Sequence, residues 1–88
     1  MPRLGASVPV FNCVVYLAET NDSVRARVAN LAGLECTAGS EREALAKIVS
    51  AFKSRVAELL AAGAPIPWID PPASPETDER VRYVPVHL

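Results

Sequence analysis

The chain has little of what most catalytic and metal centres need. Its 88 residues hold one histidine, His87, and two cysteines, Cys13 and Cys36, which do not stand at metal-ligand spacing. No motif supplies a nucleophile for His87 to activate, so neither a catalytic site nor a metal or cofactor site is expected. Two thiols are too few for a disulfide framework. Each lies in an apolar, strand-like context, the setting of a small buried hydrophobe, with a single bridge as the alternative. The four glycines are scattered, which leaves no phosphate-cradling loop. Nine basic residues against ten acidic ones give a net charge of −1, so there is no global pull towards nucleic acid or an anionic membrane. No apolar run approaches the ~20 residues that span a bilayer. The opening Met-Pro-Arg-Leu-Gly-Ala-Ser-Val-Pro also lacks the long apolar stretch of a signal peptide. A cytoplasmic, reduced protein is expected.

What is present describes a small globular domain. Half the residues are hydrophobic and 22% are charged. A chain this short buries roughly 60–65% of the surface its unfolded form exposes, enough for one core. Residues 1–9 read as a flexible leader and residues 10–88 as a single domain. Proline is abundant, and five of the eight prolines (Pro65, Pro67, Pro71, Pro72, Pro75) fall in one stretch.

From Val10 to Ala18 the chain is β-branched and aromatic without Gly or Pro, and both of its alternating sides are largely apolar. That pattern predicts a central strand covered on both sides. The polar cluster Glu19–Asp22 suits a hairpin turn, after which Ser23 to Asn30 alternates as a half-exposed strand with Arg25 and Arg27 outward. Leu34 to Thr37 predicts a short third strand. Ser40-Glu41-Arg42-Glu43 fits a capping box, in which the Ser40 hydroxyl accepts from the Glu43 amide and the Glu43 carboxylate reaches back. Leu45, Ile48, Val49, Phe52, Val56, Leu59 and Leu60 follow at helical spacing, with Glu43 and Lys47 as a favourable i,i+4 pair. Gly63, Pro65 and Pro67 end the helix, predicted over about Glu41 to Ala62. Arg80 to Leu88 is a β-type run that Pro85 assigns to a sheet edge.

These elements predict an α+β fold, β-β-β-α-β, with a mainly antiparallel sheet in the order 3-2-1-4 and one helix packed on one face. The helix is long enough to return the fourth strand parallel to an earlier one by a right-handed crossover. One helix covers one face only, so Val14 and Tyr16, with Val84 and Val86, are expected to need other cover. Such a patch marks an interface, self-association being favoured, unless Trp68 and Ile69 fold back over it.

Between helix and last strand, residues 70–79 form a mobile, Pro-rich acidic loop with carboxylates at Asp70, Glu76, Asp78 and Glu79. A solvated charge run suits them better than acid/base catalysis, which needs rigid geometry. Arg25 and Arg27, with Arg82, suggest a small basic surface for RNA, though the interleaved aromatics of a single-strand platform are missing. Trp68 is either a binding anchor or a lid on the core. Tyr16, Arg25, Arg27, Trp68, Asp70, Glu76, Asp78 and Glu79 are thus the expected partner contacts.

The order of elements and several short motifs resemble the HicB family of antitoxins, in their N-terminal domain. Asn30-Leu31-Ala32-Gly33-Leu34-Glu35-Cys36 is similar to that family's D-L-P-G-C stretch, with Ala32 in place of proline and the cysteine displaced. Ser40-Glu41-Arg42-Glu43-Ala44 resembles its T-x-x-E-A helix start, and Gly63-Ala64-Pro65-Ile66-Pro67 its G-x-P-I-P segment. The resemblance covers roughly residues 10–88 and implies a partial ribonuclease H-like fold without catalytic carboxylates. Its implied role is to neutralise a small, basic, mRNA-cleaving toxin of HicA type. Many such antitoxins continue into a DNA-binding domain, and none is read here before Leu88, so operator binding by this chain alone is not implied. The alternatives are a stand-alone oligomerising or regulatory domain with no toxin, and an RNA-binding domain.

Overall fold

The structure, a computed structural model, describes residues 9–88. All but the last residue of the expected leader therefore lies outside the described residues. Five elements follow in order: β1 Val10–Glu19, β2 Val24–Val28, β3 Glu35–Ala38, α1 Glu41–Ala61 and β4 Glu79–His87. The strands form one sheet in the order β3-β2-β1-β4, with every neighbouring pair antiparallel. This is the α+β, β-β-β-α-β architecture the patterning predicts.

Alternation along β1 decides which side chains meet the helix. Cys13, Val15 and Leu17 point to α1 and are fully buried, and Val24, Ala26 and Val28 of β2 join them on the same face. From the helix comes the row Ala44, Ile48, Phe52 and Val56, spaced by four and entirely shielded from solvent. Leu45 and Val49 flank this core. Leu60, expected in the same stripe, is 46% exposed. Phe52 is already level with Trp68 and Phe11 near the start of β1, so the last helical turn runs past the strands.

The helix ends are built as local chemistry requires. Ser40 Oγ accepts the Glu43 amide at 3.2 Å. The return bond from the Ser40 amide to the Glu43 carboxylate does not form among the described residues, so the box is half made. Lys47 donates across to the Thr37 carbonyl at 3.4 Å in place of the expected pairing with Glu43. At the other end the Gly63 amide donates to Leu60 O and the Ala64 amide to Leu59 O, a Schellman closure with Gly63 at φ +67°. A Cβ on Gly63 would meet nothing within 4 Å, so only the backbone conformation resists a side chain there. Gly63→Ala is expected to cost about 1–2 kcal/mol. Urea unfolding should show a lower midpoint at unchanged slope.

The expected parallel return of the last strand is overturned: β4 runs antiparallel to β1, from Ala18↔Glu79 to Val10↔His87. The reason lies in residues 62–78. The helix begins at the Glu19 end of β1, where Glu41 pairs with Arg80 and Arg82, and descends to the Val10 end. There Trp68 bridges to Leu31, and the Ile69 amide donates to Asn30 O at 3.0 Å. The chain then climbs back over the opposite face of the sheet before β4 starts. One connection covers two faces, descending as a helix and returning as an extended strap.

This register also corrects the face assigned to Val84 and Val86. Paired with Cys13 and Phe11, they pack on the helix side, where Val86 is buried. On the far face β4 shows Val81, Tyr83 and Pro85 beside Tyr16, Val14 and Asn12.

Candidate functional site

The far face of the sheet is divided in two. At the Glu19 end the strap is fastened down. Arg27 projects from β2 and makes a bidentate pair with Glu79, Nε to Oε2 and Nη2 to Oε1, both at 2.7 Å. Its guanidinium lies 5.1 Å above the centre of the Tyr16 ring. Tyr16 in turn donates its hydroxyl to the Ala73 carbonyl at 2.6 Å, and the Glu76 amide donates to Glu79 Oε1 at 2.7 Å. Only 1% of the Glu79 side chain is exposed. Arg27 holds that carboxyl down at about 2, with the Glu76 amide assisting against the cost of burial.

At the Val10 end the face stays open among the described residues. A groove of about 390 Å³ runs between the first half of β1 and the strap, walled by Val10, Phe11, Val14, Trp68, Ile69 and Pro72. Asn12, Asn30 and Asp70 bring polar groups to it. Trp68 stacks on Phe11 with ring centres 5.7 Å apart and tilts against Phe52 at 6.0 Å. One side of the indole thereby closes the core, and 38% of the residue remains open to solvent at the groove. Tyr83 stands beside it, 72% exposed.

Asn30 sets the floor of this groove, a role that the spacing of the chain did not reveal. Its Oδ1 accepts the Val14 amide at 3.1 Å and its Nδ2 donates to Asn12 O at 2.8 Å. One side-chain amide thus replaces a missing residue of β2 in the ladder. Only an amide both accepts and donates in that geometry. Asn30→Asp, which places an oxygen against the Asn12 carbonyl, should cost about 1–3 kcal/mol, measurable as a lower thermal midpoint at neutral pH.

Charge is sorted by side, which a net value of −1 conceals. Asp70, Glu76 and Asp78 of the strap and Glu35 of β3 are exposed on or around the far face, with Arg25 as its exposed cation. Arg27 is neutralised by Glu79. On the solvent side of α1, Arg42, Lys47, Lys53 and Arg55 are exposed, with Glu43 and Glu58 among them. The sheet side is acidic and the helix side is basic.

The expected contact residues fall into separate groups. Tyr16, Arg27 and Glu79 hold one another and the strap, so Glu79 is no part of the solvated charge run. Trp68 and Asp70 meet at the groove. Arg25, Glu76 and Asp78 remain exposed. The basic surface suggested for Arg25, Arg27 and Arg82 is not assembled. Arg82 pairs with Val15 in the ladder, which turns it to the helix side, and its Nε donates to Glu41 at 3.1 Å. Val10, Phe11, Asn12, Asn30 and Pro72 also line the groove and were not expected there, whereas Val14 and Ile69 were expected at the uncovered patch; Tyr83, paired with Val14, borders the groove. The position of Tyr83 depends on the strand register, which no local pattern states.

Both thiols are free, and burial raises the pKa of each, that of Cys13 to about 12. Neither is therefore poised as a nucleophile. Among the described residues no cluster of His, Cys, Asp and Glu is grouped to hold a metal ion, and no helix is long and apolar enough to cross a membrane. No protein family, curated protein or solved structure matches the chain.

Proposed function

We propose that this chain is a non-catalytic, cytoplasmic protein-binding module of the HicB antitoxin type. In this reading it masks a small, basic, mRNA-cleaving toxin of HicA type. The observation that carries the reading is the far sheet face, half strapped and half open, with an apolar groove rimmed by Asp70 and further exposed carboxylates along the same face. Interfaces of this composition pair an aromatic or aliphatic centre with a charged rim, and the rim charges set encounter rate more than affinity.

The test is whether the neighbouring reading frame encodes a small basic ribonuclease that the purified chain inhibits. Purified chain should suppress mRNA cleavage by that protein at near-stoichiometric ratios. The triple variant Asp70→Asn, Glu76→Gln, Asp78→Asn should slow association about tenfold at low salt and flatten its salt dependence. An unchanged on-rate would count against the acidic rim, and absence of inhibition against the antitoxin reading.

A second reading, a self-associating domain with no toxin, is favoured by the exposed Val10 and Tyr83 beside the outer edge of β4. That edge is blunted, because Pro85 offers no amide to a neighbouring strand. Light scattering decides: a dimer at micromolar concentration supports this reading, and a monomer removes it.

A further inference from the structure

The groove at the Val10 end has a shape and chemistry that select its occupant. Its walls are Val10, Phe11, Val14, Trp68, Ile69 and Pro72, and its rim carries the Asp70 carboxylate. Asp70 is exposed and makes no salt bridge among the described residues. A volume of about 390 Å³ stands at the lower end of the range for binding pockets. One large apolar side chain and its flanking backbone are what such a slot receives.

We propose that this groove docks an extended basic segment of the partner protein, which seats one apolar side chain against Trp68 and sets a lysine or arginine against Asp70. The inference rests on the protein-binding reading above and names the subsite that reading leaves open. Charge complementarity selects the partner: the one charged group lining the slot is the Asp70 carboxylate, and further along the same face the exposed Glu76 and Asp78 add negative charge. Trp68, which lines the slot, belongs to the residue types that carry most of the energy at protein interfaces.

A second copy of this chain does not fit the same slot. Its exposed large hydrophobics are Val10, Leu60, Trp68, Ile69 and Tyr83, and all but Leu60 belong to the groove or its border. The cation nearest to Leu60 in sequence is Arg55, which pairs with Glu58 at 3.7 Å. Among the described residues the chain therefore does not present an apolar anchor flanked by free cations.

Trp68 is the one tryptophan of the chain, so its emission reports the groove directly. The probe is the acetylated, amidated peptide Lys-Leu-Lys-Phe-Arg. One control carries Glu at each basic position, and the other carries Ser for Leu and Phe. Addition of the first peptide should give a saturable blue shift, and both controls should bind at least about tenfold more weakly. Asp70→Asn and Ile69→Ser, both at exposed positions, should each weaken the first peptide by about tenfold with unchanged far-ultraviolet circular dichroism.

Equal binding of all three peptides, or binding indifferent to both substitutions, would overturn the proposal. So would a Trp68 shift that follows protein concentration alone, which would place a second copy in the groove. Inhibition of the basic protein without any Trp68 response would sink the groove inference and leave the module reading standing. Peptide binding without inhibition would do the reverse.

Discussion

Phe52→Ala is expected to remove about 3–5 kcal/mol of stability, the usual loss when a buried phenylalanine leaves a cavity. Phe52 is fully shielded and stands in the buried row between Ile48 and Val56, the middle of the single layer joining helix to sheet. A domain of this size has about 5–15 kcal/mol in total, so the variant should melt some 15 °C or more below the parent and approach unfolding at 37 °C. The substitution reaches further, because the Phe52 ring supports Trp68 from beneath. Emission of the folded variant should shift to the red as the indole loses that wall. Leu60→Ala, on the same helix face but 46% exposed, is the control and should change stability by about 0.5 kcal/mol. Thermal and urea melts of the two variants check the ordering.

Glu79→Ala should cost about 2–3 kcal/mol and loosen the strap. It removes the acceptor of two Arg27 bonds and one Glu76 amide bond, leaving a half-buried guanidinium without its partner. The figure sits below the usual loss for a fully buried pair because a third of the Arg27 side chain reaches solvent. The same pair predicts a pH dependence. The Glu79 carboxyl titrates near 4.5 when unfolded and at about 2 when folded, so the unfolded chain binds its proton first. The stabilisation is present above pH 4.5 and is lost progressively as pH falls towards 2. Arg27 stays charged throughout and adds nothing to this window. Glu79→Gln should accordingly lose less stability than the parent between pH 5 and pH 2. Equal losses in the two proteins would show that the pair is not what holds the carboxyl down. Hydrogen exchange at neutral pH gives a second reading, since amides of residues 73–78 should exchange faster in Glu79→Ala than in the parent.

Period and punctuation carried most of the architecture. Alternation in Val24–Val28 put Arg25 and Arg27 outward, as observed, because a two-sided strand leaves no other choice once valines face the core. The helix start at Glu41 and its end near Gly63 were legible for local reasons, a serine hydroxyl within reach of the Glu43 amide and a glycine that accepts positive φ. The direction of β4 was not legible. A 21-residue helix alone would return the chain parallel, and nothing local says that the proline-rich stretch is a second crossing and not a loop. That one misreading moved Val84, Val86 and Arg82 to the wrong face and hid Tyr83. The charge pattern was illegible for a related reason: nine and ten charges cancel in sequence, and segregate only once the strap and the outer helix lie on opposite sides.

Chemical-shift mapping of the isotopically labelled chain against the small basic partner proposed above addresses the open acidic face most directly. Perturbations should concentrate on Val10 to Val14, Trp68 to Asp70 and Tyr83, with the outward residues of α1 from Arg42 to Arg55 silent. A footprint confined to α1, with the groove unmoved, would contradict the assignment of the sheet face as the binding surface.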